Sequence, residues 1–461
     1  MNLQWQKYPH NARKLFKLTI PIFISQLSAS GMGLADIVMA GLVSDDDVSA
    51  IAVSNSIYFP LFLFVLGLLN AITPTVSYLN GSNQRHLIAH QVRQGFWLVL
   101  TMSIPLILIF CNSHLILDYM HTPESFSSKS QQYLMIMAIG IVPALLAINL
   151  RCMNDGLSNP KPAMIITFFG LLLNIPLNYI FIFGKFGLPE MGAVGCGVAT
   201  AIVNWVMFLM MLYYAYTNKS QRDIGLFSKL MEMPSGQTLL KICKLGLPIG
   251  FATFTEVMLF STSALFLSPL GAQVVASHQA ALQTSSLFFM IPMSFSIATT
   301  IVIGQTLGQK RLDDAKVLSY HALLTGLVFA TMAAVVIVLL DQYIPLAFTR
   351  DPISIAAHLL LFAAVYQIPD ALQAVANGVL RGYKHTQPIL YVTIICYWIV
   401  GMPLGYILAR TDFITEPMAA QGFWTTFCIS LSLASGLLIW QISKIQKVPH
   451  EVLIQKLERI K

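Results

Sequence analysis

The chain has 461 residues, of which 56% are hydrophobic and only 10% charged. A soluble globular chain is about a quarter charged, so this composition excludes a water-facing surface over much of the molecule. The net charge is +7, but the basic residues fall in short stretches between apolar runs. That placement reports membrane topology and argues against a nucleic-acid partner.

A helix needs about 20 apolar residues to cross a bilayer core. Runs of that kind predict spans at roughly 15–41, 51–79, 95–112, 132–150, 162–183, 192–217, 242–267, 275–304, 318–340, 355–380, 388–408 and 419–443. Lys14 and Lys17 precede the first run and no small-residue cleavage site follows, so that span is expected to stay as an anchor. Twelve spans put both termini on one side. Counted on that topology, 23 of the 27 Lys and Arg residues share the side of the termini, among them Arg13, Arg85, Arg93, Arg151, Arg222, Arg311, Arg381 and Lys461. The other side holds Lys129, Lys185, Arg350 and Arg410. The positive-inside rule then places the termini in the cytoplasm. Cys111, Cys152, Cys196, Cys243, Cys396 and Cys428 form no CxxC pair and read as small apolar fillers.

The longest polar break, 218–241, divides the chain into two halves of six spans. Shifting the first half by 227 positions brings Pro21 onto Pro248, Gly81 onto Gly308, Pro176 onto Pro403 and Gly195 onto Gly422. Pro143 pairs with Pro369 at nearly the same offset. The expected architecture is an all-α polytopic membrane protein of twelve transmembrane helices in two pseudo-symmetric six-helix bundles. Its lobes would be 1–217 and 242–461, joined by a cytoplasmic linker at 218–241. An even number of spans per half makes the repeats parallel, with the cleft between bundles as the default substrate path. Pro and paired Gly inside many spans bend helices, which suits alternating access.

Three of the 20 acidic residues lie well inside spans: Asp36, Glu256 and Asp370. An ionised carboxylate at mid-bilayer costs about 2.5–3.5 kcal/mol, so the three together cost about 8–10 kcal/mol if unpaired. No Lys or Arg falls in the middle of a span, so no basic partner is expected. The acids must be protonated, bind a cation or face water, and all three outcomes suit ion coupling. Asp36 lies 15 residues past Pro21, about 22 Å along its helix. Asn174 and Asn178 are four apart on the fifth span and share a face. With Asp36 they make an oxygen-rich cage for a hard cation such as Na⁺, to which Thr200 and Tyr133 can add oxygens. For all four, helix–helix hydrogen bonding is the bland alternative. In the second half, Tyr366 and Asp370 are one turn apart around Pro369. Glu256 lies near mid-depth, and if the seventh and tenth spans are neighbours the two acids can share one proton or one cation.

These segments resemble a known family. LTIPIFISQLSASGMGLADIVMAG in the first span, NDGLSNPKPAM after the fourth, LLLNIPLNYIFIFG in the fifth and GAVGCGVATAI in the sixth look like the multidrug and toxic compound extrusion (MATE) transporters, NorM-type branch. The resemblance covers essentially the whole chain. It implies a V-shaped pair of six-helix bundles in the bacterial inner membrane that exports cationic dyes, fluoroquinolones and similar compounds against Na⁺ or H⁺. It implies no cofactor and no enzymatic activity, and the chain reads as a monomer surrounded by lipid. The branch's acids fall on Asp36, Glu256 and Asp370, and its polar cluster on Asn174, Asn178 and Thr200; Tyr133 and Tyr366 match less closely. Na⁺ would then sit at Asp36, Asn174 and Asn178, or at Glu256, Asp370 and Tyr366. Some relatives carry a second acid in the fifth span where this chain has Asn178, which weighs against a purely proton-based mechanism. The alternative within the same superfamily is a lipid-linked sugar flippase, but such proteins commonly have more spans and a basic cavity. An intramembrane enzyme is disfavoured because no HExxH, GxSxG or GxGD pattern occurs in the spans.

Overall fold

The computed structural model of the chain describes residues 5–120, 122–229, 232–340, 354–414 and 416–459. Arg350 and Lys461, counted above in the charge alternation, lie outside the described residues. The α-helices are α1 Tyr8–Gly41, α2 Asp45–Leu69, α3 Ile72–Gly81, α4 Ile88–Cys111, α5 Ser113–Tyr119, α6 Glu124–Gly156, α7 Lys161–Ile182 and α8 Ala193–Thr217. They continue with α9 Gly236–Leu267, α10 Ala272–Gly308, α11 Leu312–Leu339, α12 Ser354–Gly382, α13 Gln387–Thr393, α14 Met402–Arg410, α15 Ala420–Gln446 and α16 His450–Arg459. No strand occurs among the described residues. Among the described residues, twelve segments are long and apolar enough to cross a membrane, matching the twelve expected spans. Several helices run past the apolar limits read from sequence: α1 starts at Tyr8 and α6 covers Glu124–Gly156. Hydropathy marks what lipid tolerates, whereas the helix ends where its backbone ladder ends.

Two spans are interrupted, and a proline explains each. Pro74 cannot bond to the carbonyl of Asn70 and its ring crowds that carbonyl, so α2 stops at Leu69 and α3 begins at Ile72. Pro403 does the same to Ile399, inside an eight-residue π-helical stretch, Ile394–Gly401, that joins α13 to α14. Wide turns of this kind recur at functional positions.

Contacts divide the chain into two compact units: Pro21–Gly246, and Leu247–Lys461 together with Met1–Ile20. In the first, α6 is central and packs on α2, α3, α4 and α8, while α7 lies on α8. In the second, α12 is central and packs on α10, α11 and α15. The six cysteines are free thiols.

The duplication is visible in the turns. α3 and α10 end in the same motif: Asn83 and Lys310 adopt φ of 59° and 60°, and the next N–H reaches back to Leu79 and Thr306 respectively. α6 and α12 end likewise through Ser158 and Lys384, at φ 59° and 53°. Each is a left-handed helix cap of the Schellman type. Before α8, Met191 and Gly192 donate to Phe181 and Ile182; before α15, Met418 and Ala419 donate to Leu408 and Ala409. Every one of these four residues is displaced by 227. The helix-entry residue has φ 53°, ψ −129° at Gly192 and φ 50°, ψ −130° at Ala419. Gly195 and Gly422 follow, and a Cβ on either would come within 2.5 Å or 2.7 Å of the preceding span's backbone.

The polar stretch after α8 is not a loose tether. Arg93 donates through Nε to Glu232 at 2.5 Å and through Nη1 to the carbonyls of Gly225 and Leu226. His90 contacts Glu232 at 2.6 Å and Thr238 at 2.9 Å. Gln94 donates to the Met233 carbonyl and accepts from Ser235 N–H, and Trp97 donates to the Glu232 carbonyl. One face of α4 thus holds the strand of chain that leads into α9.

Two outcomes follow from these contacts. Only glycine tolerates the φ, ψ of Ala419 without strain of about 1–3 kcal/mol. After the entropic cost of added freedom, Ala419→Gly should raise stability by about 1 kcal/mol in thermal unfolding in detergent. Gly192→Ala should lower it, since its Cβ would meet the Asp47 carboxylate. Second, burial acts to raise the pKa of Glu232, but its bonds to His90 and Arg93 hold it below the ordinary value. A depressed carboxylate contributes docking that is complete above the unfolded pKa, about 4.3, and is lost as pH falls below it. Protection factors for amide exchange at residues 225–229 and 232–235 should therefore fall below that pH, and in Glu232→Gln at neutral pH.

Candidate functional site

α1 and α7 meet along a stripe of one face. Ser25 donates to Thr167 at 3.2 Å, and Gly31 lies against Leu171. Continuing at helical spacing, Asn174 and Asn178 reach Asp36. Asn174 Nδ2 and Asn178 Nδ2 both donate to Asp36 Oδ1, at 3.1 Å and 2.7 Å. Thr200 Oγ1, on α8, donates to Oδ2 at 3.1 Å. The thiol of Cys196, one turn before Thr200, also interacts with the carboxyl. Asn178 donates in addition to Asn174 Oδ1 at 3.1 Å, while its own Oδ1 is buried with no partner. Asp36 is 6% exposed and both asparagines are 0% exposed. Tyr133 on α6 is buried beside this cluster, its ring 3.1 Å from where a Cβ on Gly197 would stand, and it interacts electrostatically with Asp36.

The structure therefore brings Asp36, Asn174, Asn178 and Thr200 into one hydrogen-bonded group, with Tyr133 at its edge and no hydrogen bond to it. No ion pair to Asp36 occurs among the described residues. Neutral dipoles alone surround the carboxyl. Every donor points at it, which is the pattern an acceptor-only carboxylate requires.

The second unit carries the other acids. Glu256 sits on α9, and Tyr366 and Asp370 lie one turn apart on α12. Asp370 is 2% exposed; the Tyr366 hydroxyl interacts with it, and the charge of Glu256 acts on it. Glu256 makes no hydrogen bond among the described residues and is part-exposed. Tyr397, in the π-helical stretch, is buried, donates to Gln373 Oε1 and feels the charge of both acids. Its neighbour Trp398 donates to the Thr255 carbonyl at 3.1 Å, tying that stretch to the turn that holds Glu256.

One expectation is corrected here. No basic residue was expected near the acids, yet Arg381, assigned to the loop after the tenth span, is the last residue but one of α12 and acts electrostatically on Glu256. α12 continues as helix to Gly382, so the guanidinium remains on a packed element; its Nε is buried without a hydrogen-bond partner. Among the described residues no group of three or more His, Cys, Asp or Glu stands together. The available donors are hard oxygens, which suit Na⁺ or H⁺ better than a transition metal.

The comparisons with known proteins bear on both clusters. The MatE family model matches residues 21–180 and again 248–407. The chain belongs to the MatE family. The two matches begin at Pro21 and Pro248, the pair first noted at an offset of 227. The chain is 79% identical to the probable multidrug resistance protein NorM of Haemophilus ducreyi over 100% of both chains. It is 47% identical to the multidrug resistance protein MdtK of Photorhabdus laumondii, over 98% of this chain and 99% of that one. The eukaryotic MATE transporter AtDTX14 superposes with a TM-score of 0.89 at 19% identity, covering 98% of this chain and 100% of that one. An outward-facing multidrug resistance MATE transporter superposes at 0.83 with 17% identity, covering 95% and 97%. At these identities the structures show the fold alone. As a MatE protein, the chain is a multi-pass membrane transporter, not an enzyme.

Three neighbours of the acids escaped sequence reading. Cys196 was taken as filler, although its spacing of four from Thr200 put it on the same helix face. Tyr397 carried no signal, because the π-helical turns that aim it break the ordinary periodicity. Arg381 was hidden by the rule that assigns basic residues near span ends to loops.

The geometry at Asp36 is testable by itself. Thr200→Val keeps the shape and removes one donor to a buried carboxyl, which should cost about 1–3 kcal/mol. Thr200→Ser should restore most of it. Thermal unfolding of the purified protein reads both, and equal stability of the valine and serine variants would contradict the bond.

Proposed function

We propose that the protein is a secondary active exporter of organic cations and drugs, such as dyes and fluoroquinolones, driven by antiport with Na⁺, H⁺ or both. The observation that carries this reading is the pair of carboxylate clusters on membrane-spanning helices, Asp36 among neutral donors and Glu256 with Asp370. Support comes from the relatives, which are named multidrug resistance proteins. In this reading the protein is a monomer in the bacterial inner membrane with both termini cytoplasmic. Its lobes are 1–217 and 242–461, linked by 218–241.

A proton neutralises Asp36 and turns an acceptor into a donor, which disfavours the three N–H and O–H groups now aimed at it. A Na⁺ ion is met by the Asp36 carboxylate, the free Asn178 Oδ1 and the Thr200 hydroxyl once the amides turn. Either event rearranges the contact between α1 and α7. In the second cluster, Tyr366, Asp370 and Glu256 hold the cation. The drug cation and the coupling ion compete for the same negative charge, so exclusion needs no long-range pathway. Each monovalent ion moving down 100 mV supplies about 2.3 kcal/mol.

Dye efflux from proteoliposomes, with a Na⁺ gradient or a pH gradient imposed one at a time, identifies the coupling ion. Asp36→Asn and Glu256→Gln should each reduce energised efflux to the protein-free level at unchanged membrane insertion. Undiminished efflux in both would remove the carboxylates from the mechanism.

A further inference from the structure

Beyond the acids, a buried imidazole in the second unit is not used by the proposed mechanism. His278, near the start of α10, is 0% exposed. Its Nδ1 accepts from the Trp424 indole N–H on α15 at 3.1 Å. Its Nε2 faces Ser263 Oγ on α9 at 3.1 Å, and that hydroxyl donates onward to the Phe260 carbonyl at 2.7 Å. The directions determine the tautomer. With the serine proton committed to Phe260, the Nε2–Ser263 bond forms only if Nε2 carries hydrogen. With the indole N–H aimed at it, Nδ1 must carry a lone pair. His278 is therefore a neutral imidazole with both nitrogens engaged, joining α9, α10 and α15.

Both ends of this chain of bonds lead to the acids. The Trp424 ring lies edge-on to Tyr366, centroids 5.6 Å apart, and Tyr366 stands one turn from Asp370 on α12 and interacts with it. Ser263 lies seven residues past Glu256 on α9, two turns along the same face. Phe427 closes the remaining side of the imidazole, 6.4 Å away between centroids. A buried polar hub with every partner satisfied selects a single packing arrangement, whereas apolar residues of similar volume allow several.

We propose that His278 is a positioning residue for cation binding at Glu256 and Asp370: through Trp424 it sets Tyr366, and through Ser263 it sets the α9 face that carries Glu256. This rests on the reading of those acids as coupling residues. It predicts a loss in cation affinity with little change in the maximal rate.

The test uses purified full-length protein in proteoliposomes. Dye efflux is measured against a series of imposed Na⁺ gradients and, separately, pH gradients, and half-saturation is read apart from maximal rate. His278→Phe should raise half-saturation for the driving cation about ten-fold, the order expected for lost buried hydrogen bonds. Trp424→Phe keeps a ring against Tyr366 and removes only the indole N–H, and it should give a shift in the same direction but smaller, since the Ser263 bond is kept. The double variant should be no worse than His278→Phe alone, since that substitution already breaks the bond to Trp424. His278→Gln, which retains a donor and an acceptor, should recover at least half of the loss. Should His278→Phe fail to fold, Trp424→Phe and His278→Gln still decide the matter. Wild-type half-saturation in Trp424→Phe, or additive losses in the double variant, overturns the assignment. Asp370→Asn run in parallel separates the causes. If it loses coupling while the His278 and Trp424 variants behave as wild type, only the role of His278 falls. If it retains wild-type coupling, the acid reading falls as well.

Discussion

A carboxylate taken out of water must be compensated by whatever the chain places around it, and in this protein that requirement organises both halves. At Asp36 the compensation comes entirely from neutral dipoles: two amides, a hydroxyl and a thiol. Such donors stabilise a charge without cancelling it. The site therefore keeps its attraction for a small cation, which a salt bridge to Lys or Arg would have removed. The stripe from Thr167 to Asn178 on α7 serves this end, because each residue faces α1 by helical spacing. Apolar Phe168, Phe169, Leu172 and Ile175 on the opposite side are exposed on the surface of the chain.

The second unit meets the same requirement differently. Asp370 has Tyr366 one turn away, and Glu256 has no hydrogen bond among the described residues but feels Arg381. A guanidinium that acts through its charge alone offsets part of a negative charge while leaving the carboxylate oxygens free to bind something else. Duplication thus produced two clusters with the same ancestral scaffold and unlike electrostatics. One is saturated with hydrogen bonds, the other sparsely bonded.

The scaffold itself has been conserved between the halves down to its strained residues. The turn into α8 uses Gly192 where glycine costs nothing, whereas the turn into α15 holds Ala419 in nearly the same φ, ψ. The backbone path survives the loss of its ideal residue because Gly195 and Gly422 each let the following helix touch the preceding span, and the two bonds to that span fix the turn. Tertiary contacts here override a local preference of about 1–3 kcal/mol.

By itself the sequence determined the twelve spans, the two-fold repeat and the three stranded acids, because lipid punishes polarity residue by residue and so writes topology into composition. It also put Asn174 and Asn178 on one face, since helical period is a local property. It could not show that both amides point at Asp36, that Cys196 joins them, that Arg381 reaches Glu256, or that His278 ties Trp424 to Ser263. Those facts depend on which helices are neighbours and how each is rotated, and the π-helical stretch before α14 shifts that rotation for Tyr397. Helix rotation is decided by packing between residues far apart in the chain. Only the tertiary structure records the outcome.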